Sequence, residues 1–210
     1  LNFLINDFLK THVVDNTVDY KLAKDNVLQL DAILKEVAKF RFSDLTQKQL
    51  KSFLINTYNL LVIKNIVDHY PITSPLEING FFNEKTFEIN GRSMTLDEIE
   101  NRLFYIDKDP LIHFGLVCAA KGCPYLNDHA FSANNIDGEL AKKATQMLDD
   151  PEFLVEDRGN NKIGLSFIFK WYQNHFPNDI IPFLNRYKSI ALDPYAKIYY
   201  YNYDWKLNDK

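Results

Sequence analysis

The side chains with the most chemistry per residue fall in one short stretch, His113 to Pro124. It holds His113, Cys118 and Cys123, with Gly122 and Pro124 as turn formers. A cysteine and a histidine together suggest thiol nucleophilic catalysis, in which the imidazole takes the thiol proton and a third group orients the base. Cys123 would be the nucleophile and His113 the base. Glu100 or Asn56 would orient the base. If the run Leu111 to Cys118 is a buried strand, His113 and Cys118 lie on opposite faces, about 16 Å apart along it. They could not then form a dyad. Only Cys123, on a loop that folds back, could meet His113; otherwise His129 or a more distant histidine would meet one of the thiols. Among the basic residues, Lys121 alone is close enough in sequence to lower a thiol pKa.

The same residues have plainer readings. Cys118 at a strand end can serve as a small buried hydrophobe. The C-x4-C spacing can close a disulfide in an oxidising compartment. Two cysteines with His113 and His129 would count four zinc ligands, but the spacing is not that of a known zinc module, so no metal or other cofactor is expected. Asn56 and Asn59 stand three apart within a long apolar run, on one helix face. Buried amides need partners. Either they bond to the backbone of a neighbouring loop, or they line a pocket and orient a ligand. Glu98 and Arg102 have the i, i+4 spacing of a surface ion pair. Glu100 lies on another side of that helix, where it could face the His113 segment.

The elements that must position these residues follow from periodicity. Apolar spacing predicts a short helix around Phe3 to Leu9, a more extended stretch to Tyr20, and a second helix near residues 24–39. Thr46 and Gln49 form a capping-box pattern that opens a third helix. Its apolar residues run nearly all round, as expected of a central helix, and Pro71 ends it. Phe87 and Ile89 before Asn90-Gly91 predict a hairpin with a type I′ turn. Thr95 and Glu98 form a second capping box, opening a helix to about Phe104. Asn134 is a cap for a helix bearing Ile136 to Leu148. Residues 153–155 and 162–165 read as a second hairpin. Ser166 caps an aromatic helix, residues 180–187 form a short helix, and residues 198–205 form a last strand. Helices and hairpins do not alternate as βαβ units, so the expected class is α+β: a single domain over 1–210, helices around a central buried helix, with a small mostly antiparallel sheet.

Composition narrows the function classes. The chain has 210 residues, 46% of them hydrophobic, with 16 Phe and 12 Tyr, enough for a core without a disulfide or metal. The net charge of −4 and the lack of a basic run argue against nucleic acid as a partner. No apolar stretch reaches the roughly 18 residues of a transmembrane helix.

Several strings taken in order carry a family resemblance. They are Val18-Asp19-Tyr20, Asn56-Thr57-Tyr58-Asn59-Leu60-Leu61-Val62-Ile63, Leu96-Asp97-Glu98-Ile99-Glu100, the run from Asp109-Pro110 to Cys118, Gly122-Cys123-Pro124-Tyr125-Leu126, and the closing Tyr203-Asp204-Trp205-Lys206-Leu207-Asn208. Together they resemble the domain of unknown function 547 family over nearly the whole chain. Bacterial members of that family often carry an export signal. The start at Leu1, without Met, fits either a trimmed cytoplasmic protein or one whose signal has been removed. The resemblance implies the second: a periplasmic or extracellular location, a signal lying before Leu1, and a compartment in which Cys118 and Cys123 could pair. Two positions depart from the family pattern: Asn101 where a histidine commonly follows the glutamate, and Leu111 where an arginine commonly follows Asp-Pro. Two functions remain. The preferred one is a binding module for a small molecule or envelope component, with a pocket formed by Asn56, Tyr58, Asn59, His113, Cys118 and aromatics such as Trp171. The alternative is a Cys/His-dependent hydrolase or acyl transferase. The first is preferred because spacing alone completes no catalytic constellation.

Overall fold

The computed structural model describes residues 1–210. Its organising element is the helix α4, Gln47–His69. The Thr46 capping box starts it: the Gln49 N–H donates to the Thr46 hydroxyl and the Thr46 N–H to the Gln49 side chain. From Lys51 to Ile63 every side chain of α4 is buried. A helix apolar on all sides must be covered on all sides. The covering elements are α2 (Tyr20–Asp25), α3 (Val27–Lys39), α5 (Leu96–Asp107) and α6 (Ile136–Asp149). Helix α1 (Asn2–His12) packs behind α2 and α3. One hydrophobic cluster of 54 buried residues runs from Ile5 to Leu207. The class is α+β.

Strands are short and peripheral. β1 (Val13–Val14) pairs with β2 (Thr17–Val18), and β3 (Phe87–Ile89) with β4 (Arg92–Met94), both antiparallel. At the β3–β4 turn Asn90 and Gly91 have φ of 56° and 71°, the two positive values a type I′ turn requires. β5 (Leu154–Asp157) runs antiparallel to β6 (Lys162–Ser166), and β7 (Lys197–Tyr201) completes the sheet parallel to β6. Two helices of one turn, α7 (Ile168–Trp171) and α8 (Ile180–Leu184), lie between β6 and β7.

Several sequence expectations are corrected. Ser166 ends β6, and α7 starts after Phe167 without a side-chain cap; the last strand stops at Tyr201, short of Trp205. The helix expected over 24–39 is two, α2 and α3, broken at Asn26. The buried strand expected over 111–118 is a 3-10 helical turn, Pro110–Phe114, followed by a loop. Pro110 at its first turn and the Asp109 carboxylate, which accepts from the Leu111 N–H, start that turn. The apolar run reflects burial and not strand alternation. The Glu98–Arg102 pair does not form. The Glu98 carboxylate accepts from the Thr95 N–H as the other half of its capping box, and the Arg102 guanidinium lies 4.6 Å from the Phe42 ring centre. The Asn134 cap is also not seen: α6 starts after Asn135, without a side-chain cap.

The C-terminal tail closes the fold. Lys121 and Gly122 donate to the carbonyls of Lys206 and Asp204, Asn208 N–H donates to Ala119 O, and Leu207 N–H to Thr73 O. Gly122 eases this approach, since a Cβ there would stand 3.1 Å from the Asp204 nitrogen and from the Tyr203 ring, close enough that the tail would have to shift by a few tenths of an ångström. No helix is long and apolar enough to cross a membrane.

Candidate functional site

A cavity of about 260 Å³ opens between α4, α5, the 110–124 segment, α7 and the tail. Its floor is polar. Tyr58 reaches it from α4, Glu100 from α5 and His113 from the 3-10 turn. Asp97, one turn before Glu100 on the same helix face, stands at the mouth with no ion-pair partner. The wall is aromatic. Trp171, Tyr203 and Trp205 pack on one another with ring centres 4.8 to 5.6 Å apart. Phe82 continues that wall beside Trp205, and Tyr172 stacks on His113 at 4.1 Å.

The electrostatics of the floor come from burial. The Glu100 side chain is 9% exposed, with Oε1 3.6 Å from His113 Nδ1, too far for a hydrogen bond. That oxygen has no hydrogen-bond partner. Burial pushes the Glu100 carboxyl up to about 7, against the opposing pull of the Tyr172 hydroxyl, while Asp97 adds to the rise. Burial, with His175 beside it, pushes His113 down to about 3, so its imidazole is neutral near pH 7. His113 Nε2 lies 2.9 Å from Nδ1 of His175, a half-buried ring stacked on Phe104 at 3.5 Å. Glu100, His113 and His175 thus form a line from the cavity floor to a second groove, on whose wall His175 stands.

The cysteines form part of the wall as a pair. Cys118 and Cys123 are joined by a disulfide, with Cα atoms 6.1 Å apart, and the protein has no free cysteine. The Tyr203 hydroxyl lies 3.0 Å from each sulfur. Cys123 as a nucleophile is therefore corrected: a bonded sulfur has no thiolate to offer. The zinc set fails for the same reason, and His129 stands on the surface beside the Asp128 carboxylate at 2.7 Å.

Asn56 and Asn59 do not enter the cavity. Asn56 Nδ2 donates to Phe131 O at 2.9 Å while its Oδ1 accepts from Phe131 N–H at 2.8 Å. Asn59 does the same with Gly115 O and Val117 N–H, both at 2.9 Å. Each amide replaces one rung of a ladder for a loop that has no strand partner, which explains two amides on one face of an apolar helix. Both amides thus serve a neighbouring loop and not the Glu100–His113 cavity, which removes an orienting role for Asn56 there; Asn56 also lines a separate hollow of about 400 Å³ beside α1, with Gln49 and Ser52. Of the residues singled out in the sequence, the structure gathers Tyr58, Glu100, His113, Cys118, Cys123 and Trp171 around one cavity.

A family model described as a protein of unknown function, DUF547, matches residues 42–148. The chain belongs to this family. No curated protein and no solved structure matches it. The DUF547 segment carries the floor of the cavity, from Tyr58 through Glu100 and His113 to both cysteines. The aromatic wall from Trp171 to Trp205 comes from beyond it. Sequence reasoning gave Asp97, Tyr172, His175, Tyr203 and Trp205 no place in the site. Tyr203 and Trp205 lay in a quoted string, but nothing in their spacing ties them to His113, some ninety residues earlier.

A second cluster sits at the other end of α5. The Lys51 ammonium, on a side chain only 2% exposed, reaches Asp109 at 2.6 Å, Asp107 at 2.8 Å and Asp137 at 3.3 Å. The three carboxylates have oxygens within 4.8 Å of one another, a spacing that could suit a metal ion. Lys51 already supplies the cation, so the cluster ties α4 to α5, to the start of the 3-10 turn and to α6.

Proposed function

We propose that this DUF547 chain is a ligand-binding module that takes a small organic molecule in the cavity over Glu100 and His113. One observation carries the reading: a buried carboxylate oxygen without a partner at the floor of an aromatic-walled cavity. Such an acceptor costs about 1–3 kcal/mol unless something bonds to it. Ligand sites are mostly apolar with a few convergent polar groups, and the volume here suits a fragment-sized molecule or the head of a larger one. The binding unit in this proposal is the whole chain, 1–210, because the wall comes from outside the matched segment. A bacterial, exported protein working in the envelope or outside the cell is the proposed setting. The family resemblance supports it, and so does the disulfide, which persists in oxidising compartments.

The test is a small-molecule screen read by thermal shift and tryptophan fluorescence. Ligands are expected to raise Tm in the wild type and to lose that effect in Trp171→Ala, whose side chain is half exposed and tolerant of truncation. Ligands that stabilise wild type, Trp171→Ala and Glu100→Gln equally, or a library in which none perturbs the tryptophans, would overturn the reading.

The line Glu100–His113–His175 favours a second reading, acid–base catalysis on a bound ligand. A carboxyl near neutrality beside a neutral imidazole can accept and return a proton. Turnover lost in both Glu100→Gln and His113→Gln, with binding retained, would establish it. Unchanged turnover in either variant would exclude it. The thiol hydrolase has no support from the cavity while the bridge is closed.

A further inference from the structure

The ligand-binding reading leaves open what chemistry the cavity selects, and its charges answer that. Resting on that reading, we infer that the cavity takes an organic ammonium cation, with the Trp171, Tyr172, Tyr203 and Trp205 rings against its methyl or methylene groups and Glu100 and Asp97 as its counter-ions.

Charge balance comes first. Two carboxylates line the cavity and no lysine or arginine does. The one basic group at the floor, His113, stays neutral at neutral pH and cancels no negative charge. Asp97 has no ion-pair partner, and Glu100 Oε1 accepts no hydrogen bond, with the neutral His113 ring 3.6 Å away. With the Glu100 carboxyl near 7, an anion would be repelled by Asp97 and would hold Glu100 protonated, whereas a cation favours its ionised form. A neutral apolar ligand would leave the Glu100 oxygen as exposed in energy terms as before. A cation relieves both.

The wall then selects among cations. Calcium or magnesium takes six or more oxygen ligands, or keeps its waters. Here the surroundings beyond the two carboxylates are rings and a disulfide. An alkylated ammonium spreads its charge over carbon-bound hydrogens, is weakly hydrated, and is attracted to the faces of Trp and Tyr by the ring quadrupole. Four such rings lie within the wall. A guanidinium would seek bidentate carboxylate geometry; Asp97 at the mouth and Glu100 at the floor are separate sites on one helix face.

Choline and its neutral isostere 3,3-dimethylbutan-1-ol differ only in the charge at the quaternary centre, and are the probes. The protein has 2 tryptophans, Trp171 and Trp205, and both line the cavity, so intrinsic fluorescence reports this site directly. Choline is expected to bind the intact, oxidised protein at least about tenfold more tightly than the alcohol. Its affinity should fall with added NaCl, and Glu100→Gln should bring the two probes within about threefold of each other. Asp97→Asn, at an exposed position, should narrow the same ratio and keeps the test in hand if Glu100→Gln fails to fold. Equal or tighter binding of the alcohol overturns the cation assignment while leaving the binding reading intact. So does a choline that fails to bind while screened ligands still occupy the cavity. If neither probe nor any screened ligand perturbs the tryptophans, both inference and reading fall together.

Discussion

Replacing Lys51 by Met removes a buried ammonium and keeps most of its packing volume. Wild-type Lys51 contacts Asp107, Asp109 and Asp137 at 2.6 to 3.3 Å with its own side chain only 2% exposed. Breaking a buried ion pair from one side typically costs about 3–5 kcal/mol, because the remaining charges stay desolvated. The partners are 34%, 21% and 53% exposed, so solvent screens part of their repulsion. The low end, about 3 kcal/mol, is expected. For a chain of this size that corresponds to a fall in Tm of roughly 6–12 °C. The pH dependence follows from two groups. Burial pushes the Lys51 pKa down, but Asp107 and Asp109 pull it up by more, so its contribution is present at neutral pH and lost only as pH rises through its raised value. Asp137 is held below the usual carboxylate range, by Lys48 first and then, against burial, by Lys51. Its contribution is present above the unfolded carboxylate value and is lost as pH falls through the lowered one. The wild-type advantage should therefore hold from about pH 5 to pH 10 and shrink below about pH 4. Urea unfolding followed by circular dichroism, at pH 7 and again at pH 3.5, measures it. A loss under about 1 kcal/mol at pH 7, or a loss undiminished at pH 3.5, would refute the account of Lys51 as the cation of a carboxylate cluster.

Two further outcomes follow from the site and its support. Burial raises Glu100 from an ordinary 4.5 to about 7, so the unfolded chain ionises first and wild-type stability falls as pH rises between those values, by roughly 3 kcal/mol. Glu100→Gln should remove that slope and exceed wild type in Tm above pH 7.5; parallel Tm–pH curves for the two proteins would show that Glu100 is not the buried acid. Asn59→Ala strips the partners from Gly115 O and Val117 N–H and should cost about 3 kcal/mol in urea unfolding. Asn59→Asp keeps the acceptor for Val117 N–H but sets a carboxylate oxygen against Gly115 O, so it should cost at least as much at pH 7 and less at about pH 4, where the protonated acid can donate to Gly115 O; a loss that does not change with pH would contradict the paired-rung description.

How much of this was legible beforehand depended on whether the signal was local. The two capping boxes, at Thr46 and Thr95, were readable because a cap and its reciprocal partner lie three residues apart. The Asn90-Gly91 turn was readable because positive φ narrows the residue choice. The run from Leu111 to Val117 misled for a physical reason. A mostly apolar run records burial, and burial does not distinguish a strand from a 3-10 turn followed by a loop that Asn59 holds. Asn56 and Asn59 were seen to need partners, but only the folded loop shows that the partners are backbone.

By itself the sequence determined the α+β class, the central helix and the family, since these follow from periodicity, capping chemistry and an ordered set of local strings. Tertiary structure alone decided the site. It closed Cys118 to Cys123 and so removed the nucleophile. It set Glu100 against His113 across two elements, and it returned the tail so that Tyr203 and Trp205 wall the same cavity. Desolvation, and with it the raised carboxyl of Glu100, exists only where distant segments exclude water together, and no spacing along the chain encodes that.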